Sequence, residues 1–362
     1  RITLVGLCFA TVAVSCKPEV EEEKEYDQPV VESIIFLIGD GMGVSQIYAG
    51  LTANRGKLNL EKCEFTGFVK THSSNSYITD SAAGGTAFAC GKKTKNGMIS
   101  MDPDSTALRT ILEIAEDEGL ATGLVSTSSI THATPASFIA HQINRNRYEE
   151  IAADFLKTDI DVFIGGGRNH FDDRTDGRIL TEELKNKGYT IAYSMDEIAE
   201  VNSRKLAGFT AEMHNPRISH GRGSMLEEAL QAAIKILNKN EKGFFLMAEG
   251  SMIDWGSHQN NTEYVTDEMV DFDRAIGKAI DFAENDGHTL VVITADHETG
   301  GMAILDGDMD EGTVEAAYTT KGHTGTMVPV FAFGPGAGEF SGIYDNTEIF
   351  FKFMDLLNLE ND

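Results

Sequence analysis

Short apolar runs alternate with amphipathic stretches along most of this chain. Val30 to Ile38, Glu64 to Lys70, Ala121 to Ser126, Asp161 to Ile164, Gly243 to Ala248, Thr289 to Ala295 and Met327 to Phe333 are brief and rich in Val, Ile, Leu and Phe. That pattern predicts strands covered on both faces. Between them, Val44 to Ala53, Ser105 to Glu118, Ser224 to Leu237, Asp271 to Glu284 and Asn346 to Leu357 predict helices. In the second of these, Leu108, Ile111, Leu112 and Ala115 share one face ahead of Gly119. The small residues Ala82 to Ala89 suit a helix packed close to its neighbours, and Pro135 is placed to begin another helix that carries His141 and Arg145. Strands alternating with helices predict an α/β fold, a central and mostly parallel sheet sandwiched between helices, with its site at the carboxyl edge. Residues 168–223 are polar and weakly periodic, and read as a variable excursion outside the sheet.

Length and charge narrow the picture. A chain of 362 residues without internal repeats suffices for one large domain, here expected over 30–362. A formal charge of −27 argues against nucleic acid and against a polybasic membrane contact. It also makes an anionic substrate unwelcome unless divalent metal ions reverse the field locally.

Residues 2–14 are apolar, follow Arg1, and are too short for a comfortable membrane span, so 1–15 read as a secretory signal. Ala13-Val14-Ser15-Cys16 is similar to a bacterial lipoprotein cleavage box, with Ala13 where Leu is usual. Cys16 is therefore a candidate lipid anchor, with an acidic tether over 16–29. The expectation is an exported bacterial protein that is periplasmic, anchored to the outer membrane, or secreted. Cys63 and Cys90 would then remain, and Cys90 is expected as a buried thiol rather than half of a bridge.

Chemistry-bearing residues recur where the predicted strands end. Gly39-Asp40-Gly41-Met42-Gly43 follows the first strand, lacks the third glycine of a dinucleotide loop, and puts the Asp40 carboxylate where a pyrophosphate would sit. A metal suits Asp40 better; a plain turn residue is the alternative. Thr79-Asp80-Ser81 precedes the small-residue helix, so Ser81 or Asp80 is at least an N-cap, and Ser81 faces the unpaired N–H groups of a helix N-terminus. His132 and Thr134 follow the Ala121 strand. Arg145 offers a planar fork for two phosphate oxygens, or a surface ion pair. His141 is read as a packed histidine outside the site. Glu249 ends another strand, and Asp254 and His258 are four apart, on one helical face. The Leu-Val-Val-Ile run ends at Asp296-His297, a pair hard to explain by packing, and His323 follows in Gly322-His323-Thr324-Gly325.

Taken together and in this order, these motifs resemble the alkaline phosphatase family from about Val31 onward. The resemblance implies a phosphomonoesterase in which Ser81 is phosphorylated, Asp80 precedes it, and Arg145 binds the substrate phosphate. It implies one zinc on Asp254, His258 and His323, a second on Asp40, Asp296 and His297, and a magnesium on Asp40, Thr134 and Glu249. His132 and Trp255 stand where the best-known bacterial pattern has Asp and Lys. That difference predicts a stronger demand for magnesium and faster phosphate release. Phosphate monoesters are the implied substrates and a homodimer the implied assembly. A sister hydrolase, such as a phosphodiesterase or sulfatase, would keep many of these ligands but is less expected to have Arg145, Thr134 and Glu249 together. A metal-dependent binding protein would not need Ser81.

Overall fold

The computed structural model describes Ile2 and residues 30–360. Apart from Ile2, the expected signal and tether, Cys16 included, lie outside the described residues.

Among the described residues, fourteen strands run along the chain. They are β1 (Ser33–Gly39), β2 (Phe65–Lys70), β3 (Ala121–Ser129), β4 (Val162–Gly166), β5 (Thr190–Ala192), β6 (Leu206–Phe209), β7 (Phe244–Gly250), β8 (Thr289–Thr294), β9 (Glu298–Thr299), β10 (Met302–Asp308), β11 (Thr313–Tyr318), β12 (His323–Thr324), β13 (Val328–Phe333) and β14 (Gly342–Asp345). Ten form one sheet in the order β14-β2-β13-β8-β1-β7-β3-β4-β6-β5. Only β13 runs against its neighbours β2 and β8; the other pairings in this sheet are parallel. The expected α/β sandwich is thus observed. Every residue of β1, β3, β7 and β8 is buried, which is why these strands read as near-continuous apolar runs.

Helices Val44–Ala53, Met225–Leu237 and the long Thr262–Asp286 pack together as one layer; Ser81–Cys90, Ile111–Asp117 and Glu348–Leu356 belong to the other. Phe36 of β1 makes edge contacts with Phe88, Phe138 and Phe353, knitting the second layer to the sheet.

Four sequence expectations need correction. The excursion over 168–223 is not outside the sheet: β5 and β6 extend its edge by pairing in parallel beyond β4. These strands have only three and four residues, too few to show a period of two. The helix at Pro135 is one turn, Ala133–Ala136, so His141 and Arg145 lie in the irregular segment after it. The helix expected from Ser105 begins only at Ile111, where Thr110 and Glu113 form a capping box. The β10–β11 hairpin was not anticipated; β10 is exposed and acidic over its second half, and the one alternating face of β11, Val314, Ala316 and Tyr318, is only half-buried. Cys63 and Cys90 are both free, as expected, and burial pushes the Cys90 thiol up to about 12. Among the described residues, no helix is long and apolar enough to cross a membrane.

Candidate active site

β8, β1, β7 and β3 are neighbours in the sheet, and their carboxyl ends deliver the candidate residues to one place. Asp40 follows β1, Glu249 lies near the end of β7, Asp296 and His297 follow β8, and the turn after β3 carries His132 and Thr134. Helix Met252–His258 adds Asp254 and His258 on one face. Gly41 is held at φ 72°, where a Cβ would lie 2.8 Å from the Cα of Asp254, so only glycine lets the Asp40 turn approach that helix.

Ser81 is the first residue of its helix. Asp80 caps it by accepting from the backbone N–H of Ala83 at 3.0 Å. The other Asp80 oxygen accepts from the Gly97 N–H at 2.9 Å and from Arg145 Nη1 at 3.1 Å. Asp80 therefore aims Arg145 while ending the helix beneath Ser81. Ser81 Oγ lies 3.4 Å from His297 Nε2, which stands 3.2 Å from Asp296 Oδ2 and 3.5 Å from Asp40 Oδ1.

Among the described residues, three sets of side chains have the spacing to hold a cation: Asp40 with Asp296 and His297; Asp254 with His297 and His323; and Asp40 with His132 and Glu249. His258 belongs beside the second set, with Nε2 3.2 Å from Asp254 Oδ2 and 3.3 Å from His323 Nε2. His297 and His323 are stacked 3.5 Å apart, so the first two sets are contiguous. The third set brings His132 in directly beside Asp40 and Glu249.

The pattern of unmet hydrogen bonds fits metal ions. Both carboxylate oxygens of Asp40, Oδ2 of Asp296, Oε1 of Glu249, Oγ1 of Thr134 and Nδ1 of His132 are buried without a partner. Such orphans are rare in folded proteins, and here they face one another. The remaining oxygen of Glu249 accepts from Ser126 Oγ at 2.6 Å and Ser251 Oγ at 2.7 Å, which fixes the direction of its free one.

Electrostatics agree. Burial, and then the charges of Asp296, Asp254 and Glu249, raise Asp40 well above the usual carboxylate range. Burial likewise raises Glu249. Burial would also raise Asp254, but its hydrogen bond to His258 and the nearby His297 hold it low; the same bond lifts His258 to about 9. Burial lowers His132 to about 3 and, with His297 beside it, His323 to about 4, keeping both imidazoles neutral and able to ligate.

Every site residue named from the sequence thus lies in or beside one cluster, with Trp255 6.1 Å from the His132 ring. His141 lies apart, bonded to the Ser100 carbonyl and Glu113 at 3.0 Å each. Sequence reading missed four contributors. Thr299 Oγ1 donates to Asp254 Oδ1 at 2.5 Å. Ser126 and Ser251 orient Glu249, and the run Ser126-Thr127-Ser128-Ser129 inside an otherwise apolar core strand was a usable signal. His214, 5.8 Å from the His132 ring and 4.8 Å from Trp255, gave none, standing in the weakly patterned stretch.

Comparison with known proteins places this geometry. The alkaline phosphatase family profile matches residues 31–316. Alkaline phosphatase 3 of Bacillus subtilis is 35% identical, over 96% of this chain and 94% of its own length. Alkaline phosphatase of Escherichia coli is 31% identical over 92% of this chain and 87% of its own. The solved alkaline phosphatase of the Antarctic bacterium TAB5 is 43% identical, superposes with a TM-score of 0.87, and covers 92% of this chain and 100% of its own. A variant of that enzyme with a histidine exchanged for aspartate was solved with magnesium in the site called M3. Fold, the match along nearly the whole described chain, and these relatives agree: the chain belongs to the alkaline phosphatase family of enzymes.

Proposed function

We propose that this protein hydrolyses phosphate monoesters to an alcohol and inorganic phosphate at alkaline pH, through a phosphoserine at Ser81. The observation that carries the reading is Ser81 at a helix N-terminus, 3.4 Å from His297, beside buried carboxylates whose oxygens have no partner. Asp254, His258 and His323 would hold one zinc; Asp40, Asp296 and His297 a second; Asp40, Thr134 and Glu249 a magnesium, with His132 at its side. When bound, these ions supply positive charge for the attacking and leaving oxygens and favour their deprotonated forms.

The chain's own groups do the rest. Ser81 Oγ gives up its proton to solvent and forms a bond to phosphorus as the ester oxygen leaves and takes up a proton from solvent to become the alcohol. N–H groups at the start of helix Ser81–Cys90 and the Arg145 fork, aimed by Asp80, hold non-bridging oxygens as charge spreads over them. Water then attacks phosphorus, the bond to Ser81 Oγ breaks, and Ser81 recovers a proton. Two in-line displacements return the original configuration at phosphorus. Arg145 can bind two of a monoester's three non-bridging oxygens and leave the third free to face the cation sets, whereas a diester has only two in all; that third oxygen, and the dianionic charge a sulfate monoester lacks, favour phosphate monoesters over the diesters or sulfates of sister hydrolases.

The test compares release from an aryl phosphate monoester and the matching diester, with zinc and magnesium present, in wild type and Ser81→Ala. Expected are a strong monoester preference and a loss on the order of a thousandfold or more in kcat for the variant. A diester preference would contradict the substrate class, and full activity of Ser81→Ala would contradict the nucleophile. Export by the 1–15 signal, lipidation at Cys16 and assembly as a homodimer belong to the same proposal. Fractionation of cells carrying Cys16→Ser and sedimentation of the purified protein test them.

A further inference from the structure

The segment 213–223 leaves the weakly patterned stretch and returns to the site, and it is fastened at three points. Asn215 donates to the Thr127 carbonyl of β3 at 3.1 Å. His214 Nδ1 accepts the Ser129 backbone N–H at 3.0 Å, so its proton is on Nε2. Arg222, fully buried, pairs with Asp271 at 2.8 Å and with Glu268, and donates to the Pro216 carbonyl at 3.2 Å, anchoring the segment to helix Thr262–Asp286. So held, the His214 ring meets Trp255 at 4.8 Å and 88° and His132 at 5.8 Å and 87°, both edge to face. His132 has no protein partner for Nδ1 and shares the third cation set with Asp40 and Glu249. Nothing else about His132 fixes its ring by hydrogen bonding.

We propose that His214 is a positioning residue for the third cation set: its ring wedges His132 and Trp255 into the orientation that the Asp40, Thr134 and Glu249 group needs to retain magnesium. This inference rests on the reading of that group as a magnesium site. The ring does the positioning, and the bond to Ser129 sets only its tautomer.

Two variants separate ring from hydrogen bond. His214→Asn can accept from Ser129 but lacks the ring; His214→Phe keeps the ring without the acceptor. Trp255 is the one tryptophan in the chain, so its emission reports this contact directly. Magnesium is titrated into zinc-loaded, magnesium-stripped protein, followed by Trp255 emission and by calorimetry. The expected result is a longer-wavelength Trp255 emission and a roughly tenfold weaker magnesium affinity in His214→Asn, as for other residues that orient metal ligands. His214→Phe should stay within about twofold of wild type on both readouts. His214→Asn matching wild type in emission and affinity would overturn the proposal, as would a wild type that binds no magnesium. Neither readout uses a substrate, so a wild type that binds magnesium but fails on monoesters would refute the proposed activity and leave the role of His214 to be judged by the variants.

Discussion

Asp40 is the residue on which the site's energetics turn. Its carboxylate is fully buried, accepts no hydrogen bond, and faces Asp296, Asp254 and Glu249. A buried polar group without a partner costs about 1–3 kcal/mol, more when charged. Asp40 therefore destabilises the metal-free fold for the sake of what it holds. Asp40→Asn should raise the melting temperature of metal-stripped protein, by an amount equivalent to about 1–3 kcal/mol, while abolishing activity in the metal-loaded one. Equal or lower stability of stripped Asp40→Asn would refute this account of the orphaned oxygens. His141 behaves oppositely. Burial pulls its pKa down, but Glu113 and the Ser100 carbonyl raise it above the ordinary value of about 6.5. A raised histidine contributes stability that is fully present below that ordinary value and lost as pH climbs through its folded one. Stability should thus fall on going from mildly acidic to alkaline pH through this group, and urea titrations of His141→Gln should show that part of the slope removed.

At the scale of elements, helix Ser81–Cys90 works because its second turn is bare. A Cβ on Gly84 would come within 3.0 Å of the Asp296 Cβ, and one on Gly85 within 2.9 Å of Ser137 Oγ. Gly84→Ala should push Asp296 away from His297 and Ser81. The expected outcome is a loss of about tenfold or more in kcat, because small misplacements of reacting groups are expensive in rate. An unchanged kcat with a folded variant would show that the close approach is not needed. Elements also explain what could be read in advance. Strands β1, β7 and β8 are buried on both faces and declare themselves by apolar runs, and the acids at or just after their ends stand out as polar interruptions; β3 is equally buried but turns polar from Ser126 onward. Asp296-His297 after Leu-Val-Val-Ile was therefore visible, and so was Asp40. By contrast, β5 and β6 owe their place to the neighbour they pair with, not to a pattern of their own. The reach of Arg145 back to Asp80 spans 65 positions, and no local periodicity encodes it. His214 is harder still, since its position depends on an ion cluster between Arg222, Glu268 and Asp271 that forms only when distant segments are already folded.

For the whole molecule, a charge of −27 and a site lined with acids point to one dependence. On the proposed reading of the site, divalent cations complete the fold as well as the chemistry. Thorough chelation should lower the melting temperature, zinc with magnesium should restore it, and zinc alone should restore it only in part; scanning calorimetry of the three states checks the order. A melting temperature indifferent to chelation would contradict it. The sheet gives this dependence its geometry: four adjacent strands end at one edge, so the residues after them meet without any long loop having to find its place. On the proposed mechanism, Ser81 carries the phosphoryl group between two displacements. The most direct measurement is an acid quench of the metal-loaded enzyme during turnover of a phosphate monoester, followed by mass spectrometry of the peptide containing Ser81. The account predicts a fraction of that peptide heavier by one phosphoryl group, with fragment ions locating it on Ser81 and none in Ser81→Ala. Hydrolysis at full rate with the phosphoryl group found on another residue would contradict it.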